Sequence, residues 1–182
     1  MSFAGASLSE QFHNPERKFW VDSFHDRKFS PKALKESQTM PVTNCPLCQP
    51  DTADTVIWAD DFCHVIWVDD ANYPGFCRVI WNAHIKEMTE LPAEQRQRLM
   101  AVVFAVEAAV RQVAKPDKIN LASLGNVVPH LHWHVIPRWA ADPNFPDAIW
   151  AAPRRPTQVP LPAADLRQQI QLRILALLSM PE

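Results

Sequence analysis

Between residues 130 and 136 the chain reads His130-Leu131-His132-Trp133-His134-Val135-Ile136, a strict alternation of imidazole and apolar side chains. In extended backbone successive side chains point to opposite faces, so residues two apart share one side at about 6.5–7 Å spacing. As a strand, the segment gathers its three histidines on one face and gives Leu131, Trp133 and Val135 to a core on the other. Burial of that apolar face fixes the register, because a slip of one residue would turn the imidazoles inward and Trp133 outward.

Three imidazoles in a row fit a metal site, a nucleophile with helpers, or a merely solvated face. Histidine titrates near neutrality, so one array can hold both a neutral nucleophile and a proton donor. A nucleophilic middle histidine would attack phosphorus and form a phosphoramidate, splitting one difficult displacement into two easier ones. A catalytic metal held by all three is geometrically awkward, since a flat strand splays same-face side chains instead of converging them on one ion.

Around this segment the pattern is that of an α+β domain with an antiparallel sheet, one long helix and a C-terminal helix. Residues 55–59, 62–68 and 76–81 are short, β-branched and aromatic, with Asp60-Asp61 and residues 69–75 as turn and loop, which predicts an antiparallel meander. Pro92 at the first helical position and Glu94 open a long helix ending near Lys115-Pro116. Its apolar stripe is Leu99, Val102, Val103, Val106, Val110 and Val113. Strands are expected over residues 119–124 and 130–137. A Pro-rich stretch then leads to a helix carrying Leu166, Ile170, Ile174, Leu177 and Leu178.

Residues 1–43 read as a partly disordered extension and 44–182 as the folded domain; Met40 is an alternative natural start. With a net charge of −2, the chain has no basic footprint for nucleic acid or an anionic membrane. Any phosphate must therefore be gripped locally. The longest apolar run, residues 99–110, is too short to span a bilayer and contains Glu107. No signal-peptide pattern is visible, and four cysteines do not make a dense disulfide framework, so a reducing cytoplasm is the expected address.

The seven residues from His130 to Ile136 fill every position of the motif His-φ-His-φ-His-φ-φ and so resemble the histidine-triad family of nucleotide hydrolases and transferases. The likeness extends through Ile119-Asn120-Leu121, Gly125-Asn126 and Trp81-Asn82-Ala83-His84, covering about residues 44–140. The resemblance implies a histidine-triad fold and an enzyme that cleaves nucleotide phosphoanhydrides or phosphoramidates. His132 would take the nucleotidyl group, His134 would contact the phosphate oxygens, and the Asn120 amide would donate to the oxyanion. Gly125 and Asn126 would lie at the phosphate, and Asp69 or Asp70 would accept the ribose hydroxyls. The alternative for either aspartate is a charge that solvates a loop. Two departures affect the phosphate cradle: Asn126 stands where the family often has glutamine, and Val127 where well-known members have serine. Nucleotidyl transfer, or nucleotide binding with little turnover, are the alternative activities. The resemblance also implies an adenine or guanine nucleotide as substrate and a two-fold homodimer. The helix around Val103 and Val110 would supply the interface or else cover its own sheet. Trp139, Phe145 and Trp150 would cap the pocket or pack as core.

Cys45-Pro46-Leu47-Cys48 has Cys-x-x-Cys spacing flanked by Asn44 and Gln49-Pro50, closer to a metal knuckle than to a redox motif. One pair is half of a tetrahedral zinc site; the other reading is a reduced pair packed as small hydrophobes. Resemblance to zinc-containing bacterial members implies His84 and His130 as the remaining ligands of a closed structural site, with no catalytic metal required. Cys63 and Cys77, inside apolar strands, are expected in the core.

Overall fold

The computed structural model describes residues 44–48, 56–159 and 161–179. The expected N-terminal extension lies outside the described residues.

Five strands form one antiparallel sheet in the order β1-β2-β3-β5-β4. They are β1 (Val56–Ala59), β2 (Cys63–Trp67), β3 (Cys77–Trp81), β4 (Lys118–Ala122) and β5 (His132–Arg138). The meander expected from the β-branched segments is β1-β2-β3. Asp60 builds its first turn: Oδ1 accepts the N–H groups of Phe62 and Cys63 at 2.8 and 2.7 Å. The other carboxylate oxygen accepts from Arg98 at 2.9 Å, tying the turn to the long helix. The connection into β3 passes through Gly75 at φ 98°, a left-handed conformation that favours glycine.

The long helix α1 spans Ala93–Ala114. Pro92 precedes it as the N-cap, so the helix begins one residue later than expected. It ends at Lys115 in the left-handed region, followed by Pro116, which cannot continue a helix. The stripe behaves as its period requires: Leu99, Val102, Val103, Val106 and Val110 are fully buried, with Val113 half-buried against them. The second helix, α2 (Leu166–Leu178), adds Leu166, Ile170 and Ile174 to the same core. Both helices cover the sheet face that carries Val65, Val79 and Val135. Val103 and Val110 are therefore spent on the chain's own sheet and leave no apolar stripe there for a partner; of the α1 side chains, Phe104 is the large exposed apolar one.

The histidine segment departs from expectation at one end. β5 begins at His132, not His130, because Leu131 donates its N–H to the Ile85 carbonyl at 2.7 Å and accepts from the Trp81 N–H at 3.1 Å, outside the regular ladder. Leu131 and Val135 are in the core as expected, with Trp133 half-buried against it. In register, His132 lies opposite Ile80, and His134 lies between Arg78 of β3 and Ala122 of β4. The face of the sheet turned away from α1 and α2 thus carries the site.

If the α1 stripe holds the domain together, Leu99→Ala should cost about 2–5 kcal/mol, whereas Phe104→Ala should change stability by no more than about 0.5 kcal/mol. Urea unfolding of the two variants checks this; comparable losses would contradict the assignment of faces.

Candidate active site

The two strand histidines lean together. Their ring centroids are 4.8 Å apart at 71°, closer than the strand repeat, and their Nε2 atoms are 3.1 Å apart. His132 donates its Nδ1–H to the His130 carbonyl at 2.6 Å. That bond selects the tautomer whose Nε2 carries a lone pair, so the proton between the two Nε2 atoms belongs to His134. Both rings are almost buried, at 7% and 5% exposure. Burial holds the His132 pKa below the usual histidine value, with Arg78 lowering it further against the bond to the His130 carbonyl. For His134, burial and then the charges of His132 and Arg78 bring it down to about 4. Both rings are therefore neutral at pH 7, as a nucleophilic pair requires.

His130 has a different setting. Its Nε2–H donates to the Trp81 carbonyl at 2.6 Å, leaving Nδ1 as a free donor atom for a metal. That Nδ1 lies 3.4 Å from the Cys45 Sγ and 3.5 Å from the Cys48 Sγ, while the His84 Nδ1 is 3.3 Å from the Cys48 Sγ. The four ligand atoms all lie within 4.8 Å of one another, close enough to hold a metal ion. The structure brings together the four residues named from the sequence. Cys63 and Cys77 sit in the core with their thiols pushed up by burial, the latter to about 12.

His132 and His134 open into a cleft of about 500 Å³, a size suited to a small ligand. Arg78, Leu124, Asn126 and Val127 also line it. Val127, 93% exposed, stands at the rim with no polar group to offer. Gly125 neighbours this wall, and a Cβ there would make ordinary contacts with the Val128–Pro129 backbone. Ser123 was not singled out from the sequence; its hydroxyl donates to the His132 carbonyl at 2.9 Å.

Trp150 is set edge-on to His134 at 5.2 Å and separates the cleft from an adjoining hollow lined by Asn120, Ile136 and Ile149. A buried polar network holds the segment that carries it. Arg138 donates to both Asp142 oxygens at 2.7 and 3.1 Å and to the Asn120 Oδ1 at 2.8 Å. Asp142 also accepts the Asn144 N–H at 2.9 Å. Tyr73 donates its hydroxyl to the Asn144 Oδ1, and the Asn144 amide reaches the Ala151 carbonyl at 2.7 Å. Burial alone would raise the Asp142 pKa, but the bonds from Arg138 and Asn144 hold it below the usual carboxylate value. Asn120 thus faces the hollow beside the cleft, with its Oδ1 committed to Arg138. Asp69 is exposed, and the Asp70 carboxylate accepts the Asn72 N–H at 2.9 Å. Neither aspartate lines the cleft, although the preceding Val68 packs with Phe76, Ile136 and Ile149 on the sheet face of the histidines.

Arg78 and Arg138 also escaped the sequence reading. Arg78 was visible as a single cation inside an apolar strand, but its place beside His134 depends on cross-strand register. Arg138 follows Pro137 at the end of the histidine strand, and its partners are distributed across three other segments.

The geometry finds counterparts among known proteins. A family model of the HIT domain matches residues 49–141, just over half of the chain. Over 78 residues the chain is 30% identical to an AP-4-A phosphorylase from Mycobacterium tuberculosis, an alignment covering 40% of each protein. Over 77 residues it is 30% identical to an uncharacterised HIT-like protein from Saccharolobus solfataricus, covering 40% of this chain and 55% of that one. The chain thus spans about two fifths to a little over half of these relatives. Crystal structures of histidine triad proteins from Bradyrhizobium japonicum and Marinobacter aquaeolei superpose with TM-scores of 0.54 and 0.53 at 28% and 29% identity. They cover 68% and 69% of this chain and 90% of each neighbour. With its histidine strand, its sheet and this match over half its length, the chain belongs to the HIT domain family.

Proposed function

We propose that the chain hydrolyses nucleotide phosphoanhydrides or phosphoramidates through a nucleotidyl-His132 intermediate. The observation that carries this reading is the His132 tautomer: Nδ1–H is committed to the His130 carbonyl, and Nε2 faces His134 in the cleft. The Nε2 lone pair attacks the phosphorus of the nucleotide, a P–N bond forms, and the bond from phosphorus to the leaving oxygen or nitrogen breaks. His134 turns its Nε2–H from His132 to the leaving atom as a hydrogen-bond donor and keeps the proton; a phosphate leaving group departs as an anion, and a leaving amine takes its proton from solvent. Water then attacks the phosphorus and loses a proton to solvent, the P–N bond breaks and His132 regains its lone pair, releasing a nucleoside monophosphate. In this reading Asn126 supplies an amide donor from the cleft wall and Asn120 one from the adjoining hollow, Gly125 leaves the neighbouring wall bare, and Asp69 or Asp70, outside the cleft lining, accepts the hydroxyls of a ribose that extends beyond it. A homodimer belongs to this reading.

Transfer to an acceptor other than water is the second reading. It is favoured by one observation, the 30% identity to a relative named AP-4-A phosphorylase. The acceptor there would be inorganic phosphate, and the product a nucleoside diphosphate.

The metal of the cysteine-histidine cluster is assigned as zinc. A tetrahedral zinc with sulfur at about 2.3 Å and nitrogen at about 2.0–2.1 Å sets neighbouring S and N atoms roughly 3.5 Å apart. The sulfur–nitrogen separations of 3.3–3.5 Å fit this. Zinc held by Cys45, Cys48, His84 and His130 would pin residues 45–48 to the start of β5. With all four positions taken by protein, it would supply structural support.

With diadenosine tetraphosphate as substrate, His132→Ala should reduce nucleotide release by about 10³-fold or more. Chromatography of the products with and without inorganic phosphate separates the two readings, since only transfer gives a phosphate-dependent nucleoside diphosphate. Undiminished turnover in the variant would sink both. Elemental analysis should find zinc in the purified protein and its loss in Cys48→Ser. Chelation should lower the melting temperature by at least about 4 °C while leaving turnover measurable below the transition; complete loss of turnover in a still-folded chelated protein would argue for a catalytic metal. Because the His134 pKa is lowered, its ring should take a proton only as pH falls towards about 4. An NMR titration of His134 with a midpoint near 6.5 would contradict that environment.

A further inference from the structure

Arg78 is the second residue of β3, between Cys77 and Val79, both fully buried. Its side chain projects onto the histidine face, where its cross-strand neighbour is His134. The Nε is buried and has no hydrogen-bond partner, and the guanidinium lies 5.7 Å from the centre of the Phe76 ring. Arg98, Arg111, Arg138 and Arg154 each meet a carboxylate, and Arg78 has no such ion pair among the described residues. A half-buried guanidinium without a carboxylate is costly unless an anion arrives to meet it.

Among the described residues, Arg78 is also the only one with a permanent charge lining the cleft of His132 and His134. No carboxylate among the described residues lines the cleft beside it, and the neighbouring wall of Leu124, Val127 and Val128 adds no charged side chain. Position along the strands gives the cation a direction. His132 is opposite Ile80, whereas His134, two residues on, is opposite Arg78. If His132 attacks the phosphorus and His134 meets the leaving atom, the guanidinium stands at the leaving-group end. Its planar fork matches two phosphate oxygens at once.

We propose that Arg78 binds the phosphoryl group next to the one under attack, making this cleft selective for substrates with a polyphosphate chain. This rests on the reading of His132 as nucleophile. It predicts preference for a dinucleoside polyphosphate or nucleoside polyphosphate over a nucleoside phosphoramidate, whose leaving amine has no anionic oxygens.

The test compares Arg78→Gln and Arg78→Lys with the wild type on diadenosine tetraphosphate and on adenosine 5′-phosphoramidate. For the tetraphosphate, kcat/KM should fall about 10–100-fold in Arg78→Gln and recover in part in Arg78→Lys. For the phosphoramidate it should stay within about threefold, a factor too small for a lost charge-assisted bond. Equal losses on both substrates, or no loss on either, would overturn the proposal. Calorimetric titration with inorganic tripolyphosphate decides the matter independently of turnover. Arg78→Gln should bind it at least about tenfold more weakly than the wild type. No binding by the wild type, or equal affinity in the variant, would overturn the assignment of Arg78. Turnover of neither nucleotide by the wild type would instead count against the catalytic reading.

Discussion

His130 stands at the junction on which the rest of this site depends. Its Nε2–H is bonded to the Trp81 carbonyl, its Nδ1 faces two cysteine sulfurs, and its own carbonyl accepts the Nδ1–H of His132. One residue therefore joins the end of β3, the Cys45–Cys48 segment and the first residue of β5. Because the carbonyl that sets the His132 tautomer belongs to His130, displacement of that backbone would return His132 to a mixture of tautomers. A structural metal at the cluster would thus bear on the chemistry without touching substrate. Its effect would be to hold a hydrogen-bond acceptor in place.

Among the described residues, the cleft combines neutral imidazoles with a single cation. Burial removes the charge from the two rings, while Arg78 keeps its charge and lies beside them. Both effects come from the same desolvated face, which explains why an overall net charge of −2 is no obstacle to an anionic ligand. Trp150 closes one side of that face. Its neighbour Ala151 is bonded to Asn144, which with Arg138 and Asp142 forms a network whose hydrogen bonds satisfy polar groups that would otherwise be expensive to bury.

Most of the fold was legible because its signals are local. The α1 valines recur at helical spacing, the short strands are β-branched, and imidazole and apolar residues alternate from His132 to Val135; each pattern needs only neighbouring residues to be read. The metal-ligand cluster was legible in two steps, since Cys45 and Cys48 announce themselves by spacing, while His84 and His130 required resemblance. What escaped is non-local. Leu131 leaves the ladder because of Ile85, and Arg78 gains its meaning from a partner strand more than fifty residues away. Arg138 joins Asn120, Asp142 and the ring of Tyr73 across three segments. The stripe through Val103 and Val110 likewise shows that something must cover it, but only the packed structure says that the cover is the chain's own sheet.

The most direct test of the account is to catch His132 in its covalent state. Wild type and His132→Ala would be mixed with diadenosine tetraphosphate, quenched rapidly without acid, and examined by intact mass and peptide mapping. The account predicts a transient mass increase of one nucleotidyl group on the wild type, mapped to His132 and absent from the variant. Turnover of the substrate with no adduct at any sampled time, or an adduct on another residue, would contradict it.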